Sequence, residues 1–147
     1  MSFSATDLAA IKAAVTADPV ALGYWNAGSR GMCCAYLNAP STTMLTRTDV
    51  SNTDLFHAMV ATDVLALTAP QLNMLQLAGL AQTIDFTNPN VATGLTAIFP
   101  ATSKTYANIL ALSQRAATRL EAIFTTSAVS SQYGAQIDVP TLIEALT

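Results

Sequence analysis

Charge is so scarce along this chain that most of any surface it builds must be uncharged. Three long runs, residues 64–84, 86–103 and 122–137, contain no Asp, Glu, Lys or Arg. Charged residues make up 10% of the 147 positions, against roughly 25% in an ordinary soluble domain. Hydrophobic residues make up 52%, and Thr, Ser, Asn and Gln fill the polar positions. A lone domain with such a surface is prone to association. The economical reading is that much of the exterior is covered by other copies or other proteins.

The same numbers exclude several classes. Six Lys and Arg against nine Asp and Glu are too few cations to neutralise a run of phosphates, so sequence-specific nucleic-acid binding is not expected. High apolar content with low charge argues against disorder. Two cysteines, adjacent at Cys33 and Cys34, cannot make a disulfide scaffold. The length suits one ordinary domain.

The opening Met1-Ser2-Phe3-Ser4-Ala5-Thr6-Asp7 has no basic region, and Asp7 and Lys12 interrupt the apolar residues that follow. It does not read as a secretory signal. Residues 64–84 are long enough to span a bilayer, yet they include Pro70, Gln71, Asn73, Gln76 and Gln82, and unpaired amides are costly in hydrocarbon. No membrane partner is expected. A product of the cytosol, or one assembled into a particle inside a cell, is.

Apolar spacing predicts a mostly α chain, residues 1–147 forming a single compact domain of several short helices. Ser4 or Thr6 caps a first helix through Ala17, with Leu8, Ile11 and Val15 on one stripe. Asp18-Pro19 ends it and begins another. A short helix over 32–37 stops at Asn38-Ala39-Pro40. The Thr-rich arm at 41–50 reads as extended chain or a short strand, the one small β element. Ser51 caps the next helix with Asp54 at its third position. Thr68-Ala69-Pro70 restarts a helix through about Leu80, and a short helix over 90–99 follows. One long helix near the C-terminus is predicted over 102–125, with Tyr106, Leu110, Ala117, Leu120 and Phe124 on its core stripe. A polar loop over 127–137 precedes a terminal helix opened by Val139-Pro140. The arm and this loop are candidates for reaching neighbouring subunits.

No catalytic, cofactor or metal site is expected. His57 is the only histidine, one turn after Asp54; a hydrolase built on it lacks an evident nucleophile and reads better as capping and surface chemistry. Neighbouring cysteines point about 100° apart on a helix, so Cys33 and Cys34 do not readily share one tetrahedral metal. They read as two small buried thiols. Gly28-Ser29-Arg30-Gly31 lacks the lysine of a phosphate loop. Interface candidates remain. Arg115 and Arg119, four apart on the predicted long helix, read either as a solvated face complementing the helix dipole or as a contact with another protein. Arg47 in the extended segment can act similarly. Trp25, beside Tyr24, is either an interface anchor or a core residue.

The order Asp18-Pro19, Leu22-Gly23-Tyr24, Leu37-Asn38-Ala39-Pro40, Arg47-x-x-Val50, Asp54-Leu55-Phe56, the helix over 71–80, the Arg115/Arg119 segment and a short terminal helix resembles small proteins encoded among the structural genes of tailed bacteriophages. The resemblance spans most of the chain through short motifs, and departs from the usual pattern at Met32-Cys33-Cys34. It implies a virion protein assembled in the host cytoplasm. The expected place is the neck between portal and tail, as a head–tail connector, adaptor or head-completion protein acting in a ring of its own copies. Portal, other neck, capsid or tail proteins would be its partners. A capsid-associated or tail-completion role in the same particle, or a small phage regulator of a host protein, are the other readings.

Overall fold

Side-chain oxygens set most of the helix starts in this chain. The computed structural model describes residues 3–126 and 134–147. Ser4 opens α1 (Ala5–Ala17): its hydroxyl accepts from the Asp7 N–H at 3.2 Å while the Asp7 carboxylate accepts from the Ser4 N–H at 2.8 Å, a reciprocal capping box. Asp18 ends α1 and opens α2 (Pro19–Asn26), accepting from the N–H groups of Val20 and Ala21. Pro19 sits in the first turn, where its missing N–H costs nothing. Gly28 then turns the chain at a φ of 72°, a left-handed conformation that glycine adopts without strain, and α3 (Arg30–Asn38) follows.

The chain continues through β1 (Pro40–Thr46), β2 (Val50–Ser51), α4 (Asn52–Ala58), α5 (Ala61–Leu65), α6 (Ala69–Ala78), β3 (Thr83–Ile84), α7 (Pro89–Ile98), α8 (Lys104–Leu112), β4 (Gln114–Thr118), α9 (Arg119–Thr126) and α10 (Val139–Leu146). Ser51, Asn88, Ser103 and Asp138 cap α4, α7, α8 and α10 with their side chains. Strand β1 pairs with β4, and β2 runs antiparallel to β3 with Val50 opposite Ile84. The mostly helical fold with a small β element is as expected, and the Thr-rich arm is a strand held by β4. Among the described residues no helix is long and apolar enough to cross a membrane.

By internal packing the chain divides into two units, Met1–Met44 with Ala116–Thr147, and Leu45–Arg115. In the first, α1 packs on α2, α9 and α10, and α3 packs on α2, α9 and α10. Among the described residues twelve buried apolar ones fill it, with Ile11, Val15, Leu120 and Leu142 fully enclosed. Asn38 ties α3 to the segment before α10: its Nδ2 donates to the Ile137 carbonyl at 2.9 Å and its Oδ1 accepts from the Ile137 N–H at 3.0 Å. Residues 127–133 of the expected loop lie outside the described residues.

In the second unit α4 packs on α8 and α6 on α7. Only Leu55, Ile98, Phe99 and Ile109 form its fully buried cluster, with half-buried residues such as Leu75, Phe86 and Leu95 around them. A polar clamp completes it. Thr105 is fully buried; its Oγ1 accepts from the Val60 N–H at 2.8 Å, and its own N–H donates to the Asp63 carboxylate at 2.8 Å. The start of α8 is thereby fixed to the turn between α4 and α5.

The long helix predicted over 102–125 is corrected. It is two helices, α8 and α9, separated by β4. Ser113 caps the C-terminus of α8 and its hydroxyl donates to the Leu110 carbonyl at 2.7 Å. Residues 114–118 are extended because β1 supplies the partner, with the Ser41 hydroxyl donating to the Ala117 carbonyl at 3.0 Å. Thr118 then opens α9. Its hydroxyl accepts from the Glu121 N–H at 3.1 Å and its N–H donates to the Glu121 carboxylate at 2.9 Å, a further capping box. Arg115 and Arg119 therefore share no helix face, and Arg119 lies at a helix N-terminus, where it does not complement the dipole. Leu110, expected on the core stripe, is exposed, while its neighbour Ile109 is buried.

Replacing Thr105 by Val keeps the buried shape and strands the Val60 N–H. Urea unfolding is expected to show a loss of about 1–3 kcal/mol, the usual cost of a buried donor left unpaired, with unchanged helical circular dichroism.

Candidate interaction surface

The second unit turns large apolar side chains outward. Phe56 is 71% exposed, Leu65 85%, Leu77 68% and Leu80 80%. Met74 joins them on α6. These residues lie in or beside α4, α5 and α6, and neither α5 nor α6 contributes a fully buried side chain. Helix α6 is apolar on two faces. Leu72 and Leu75 are half-buried, while Met74 and Leu77 face outward. A surface helix with one face to spare would be polar there.

Two concavities open on this face. One, of about 650 Å³, is lined by Leu55, Phe56, Met59, Val64, Leu65 and Leu75. The other, of about 420 Å³, is lined by Leu55, Met74, Leu75, Ile84 and Phe86 among others. Leu55 and Leu75 form part of both walls. Asn52 holds the walls in place: its Nδ2 donates to the Gly79 carbonyl at 2.8 Å and to the Ala81 carbonyl, fixing the start of α4 to the end of α6. Its Oδ1 is buried with no hydrogen-bond partner among the described residues. This arrangement offers an apolar contact surface. Sequence periodicity missed it, because Leu72, Leu75 and Gly79 alone account for a core face. The signal was Met74, Leu77 and Leu80, apolar residues left over from that face.

The residues singled out from sequence lie elsewhere. Arg47 Nε pairs with Asp49 Oδ1 at 3.1 Å, and its backbone links Ser113 to Phe86. Arg115 is a half-buried residue of β4. Trp25 is half-buried against the core of the first unit, with the Arg30 guanidinium 4.7 Å from its ring centroid. Arg119 stacks on Tyr36, its guanidinium carbon 4.2 Å from the ring centroid. Of these, only Arg119 and Asp18 meet at one cavity, in the first unit.

Titratable groups behave as their neighbours dictate. Burial pushes the Asp18 carboxyl up, but the Tyr36 hydroxyl at 2.9 Å and the Val20 and Ala21 amides outweigh it and hold the carboxyl below its ordinary value. The same Asp18 bond raises the Tyr36 phenol. The Thr105 amide and hydroxyl lower Asp63, and Thr141 lowers Asp138. Cys33 and Cys34 are both buried, and burial raises both thiols, the reverse of an activated nucleophile. Asp54 accepts from the Ser51 hydroxyl at 2.8 Å, while exposed His57 lies beside the Phe56 ring. Among the described residues no three His, Cys, Asp or Glu gather as metal ligands.

Carboxyls lowered by folding stabilise the native state fully above their unfolded value, and that contribution is lost as the pH falls through the folded value. The denaturation midpoint is therefore expected to drop on acidification below about pH 4. Asp18→Asn, measured by urea unfolding across that window, should flatten the drop.

Comparison with protein-family models, with curated proteins and with solved structures gave no match.

Proposed function

We propose that this chain is a structural, non-catalytic component of a tailed-phage virion, working at the neck as a head–tail connector, adaptor or head-completion protein in a ring of its own copies. The observation that carries the assembly role is the outward apolar face of α4, α5 and α6, with Leu65 and Leu80 at least 80% exposed. A face of that kind on a sparsely charged chain is covered in use. Its concavities suit apolar side chains of a neighbour. A head-to-tail contact repeated by rotation closes a ring. The phage and neck assignment rests on the motif order from Asp18-Pro19 to the terminal helix.

The test has two arms. Wild-type protein is expected to self-associate with concentration in analytical ultracentrifugation. Leu65→Glu and Leu77→Glu should remain monomeric, with denaturation midpoints shifted by no more than about 0.5 kcal/mol because both sites are exposed. Persistent association of both variants would remove this face from the assembly. In the second arm, density for the chain on the tail axis of an intact particle is expected. Density on the shell would move it to a capsid-associated role, and absence from particles together with capture of a host protein would replace the virion reading by the regulator.

A further inference from the structure

The first unit holds a cleft that joins one fixed cation to small apolar walls. It has a volume of about 520 Å³, and Ala10, Ala13 and Ala14 of α1 face it together with Ala122 and Arg119 of α9. Arg119 is anchored from one side. Its guanidinium lies over the Tyr36 ring, and Nη1 makes a single long bond, donating to the Tyr36 carbonyl at 3.4 Å. The Tyr36 hydroxyl is a further partner of the guanidinium, the Asp18 charge acts on it from beyond ion-pair distance, and among the described residues no carboxylate forms a salt bridge with it. Stacking of this kind holds the planar fork while leaving its donor edges usable.

Asp18 shares the cleft but is already occupied. Its two carboxylate oxygens accept from the Val20 and Ala21 amides and from the Tyr36 hydroxyl. Its charge still matters, because it disfavours a doubly charged ligand such as phosphate beside a single guanidinium. A singly charged, planar anion fits better, and the alanine methyls fit an aliphatic stem behind it.

We propose that this cleft is a carboxylate-binding site, in which Arg119 receives the carboxylate through paired N–H donors and the walls of α1 and α9 hold its aliphatic stem. The ligand is an aliphatic carboxylate, supplied either by an acidic side chain of a docking protein or by a free short-chain acid. Nothing in this assignment rests on the face of α4, α5 and α6, none of whose residues lines the cleft.

The full-length protein is titrated with a blocked Ala-Glu-Ala peptide, with its Ala-Gln-Ala counterpart and with butyrate, following backbone amide shifts of residues 10–14 and 119–123 by nuclear magnetic resonance. Saturable shifts with a carboxylate ligand and none with the Gln peptide are expected. Arg119→Gln should weaken binding about tenfold or more, the effect of losing a charge-assisted bidentate contact, and Arg119→Lys by less. Ala13→Leu, at an exposed position on the cleft wall, should block binding with Arg119 intact, which keeps the test valid if Arg119→Gln does not fold. Tighter binding of the Glu peptide than of butyrate identifies a protein source, and the reverse a free acid. Equal shifts with the Gln peptide, no saturable shift with either carboxylate, or unchanged affinity in Arg119→Gln or Ala13→Leu would overturn the site.

Discussion

Short helices are the constraint from which the rest of this structure follows. Among the described residues the longest, α1, has 13 residues, and α5 has five. Isolated helices below about 12–15 residues are marginal in water. Most here therefore depend on a side-chain cap at the start, α3 and α5 being the exceptions, and all on an apolar neighbour along their length. The caps are supplied densely: Ser4, Asp18, Ser51, Asn88, Ser103, Thr118 and Asp138 all accept from amides of a first turn. The neighbours are not supplied evenly.

In the first unit α1, α2, α3, α9 and α10 share a core that, among the described residues, holds twelve buried apolar side chains, and Asn38 closes it with two bonds to Ile137. The second unit buries four residues in its cluster and relies on the Thr105 clamp. Helices α5 and α6 bury no side chain fully, yet they carry Leu65, Leu72, Met74, Leu75 and Leu77. Burial that would stabilise these helices is only half completed within the chain. A neighbouring surface over α4, α5 and α6 would complete it, at roughly 25 cal/mol for each Å² of apolar area covered. The outward apolar face is thus linked to the modest core behind it.

Much of this was legible locally. Ser4 with Asp7, Asp18-Pro19, Ser51 with Asp54 and Thr68-Ala69-Pro70 each mark a helix start by chemistry within four residues, and the helices begin there. The break between α8 and α9 was not read, because apolar spacing from Tyr106 to Phe124 continues unbroken through Ala116 and Ala117. The local signal was Thr118-x-x-Glu121, a capping box in the middle of the supposed helix. What makes the intervening residues a strand is β1, some seventy residues earlier, and Glu121 is further engaged by the Gly134 amide. Neither partner is visible from the spacing around residue 115. Scarce charge likewise foretold an uncharged exterior but not its place, since only the packed helices decide that Leu75 turns inward and Leu77 outward.

The placement of three of the six cations bears on the same scarcity. Arg30 lies over Trp25, Arg119 over Tyr36, and Arg47 holds Asp49 two residues away. These three are each engaged locally. A net charge of −3 spread over such a surface is screened beyond about 8 Å at physiological salt. Identical copies can then approach closely without strong repulsion, and discrimination between partners must come from shape and from single charged contacts. Arg119 is well placed for such a contact, because an aromatic ring orients it and, among the described residues, no carboxylate forms a salt bridge with it, Asp18 acting on it only through its charge.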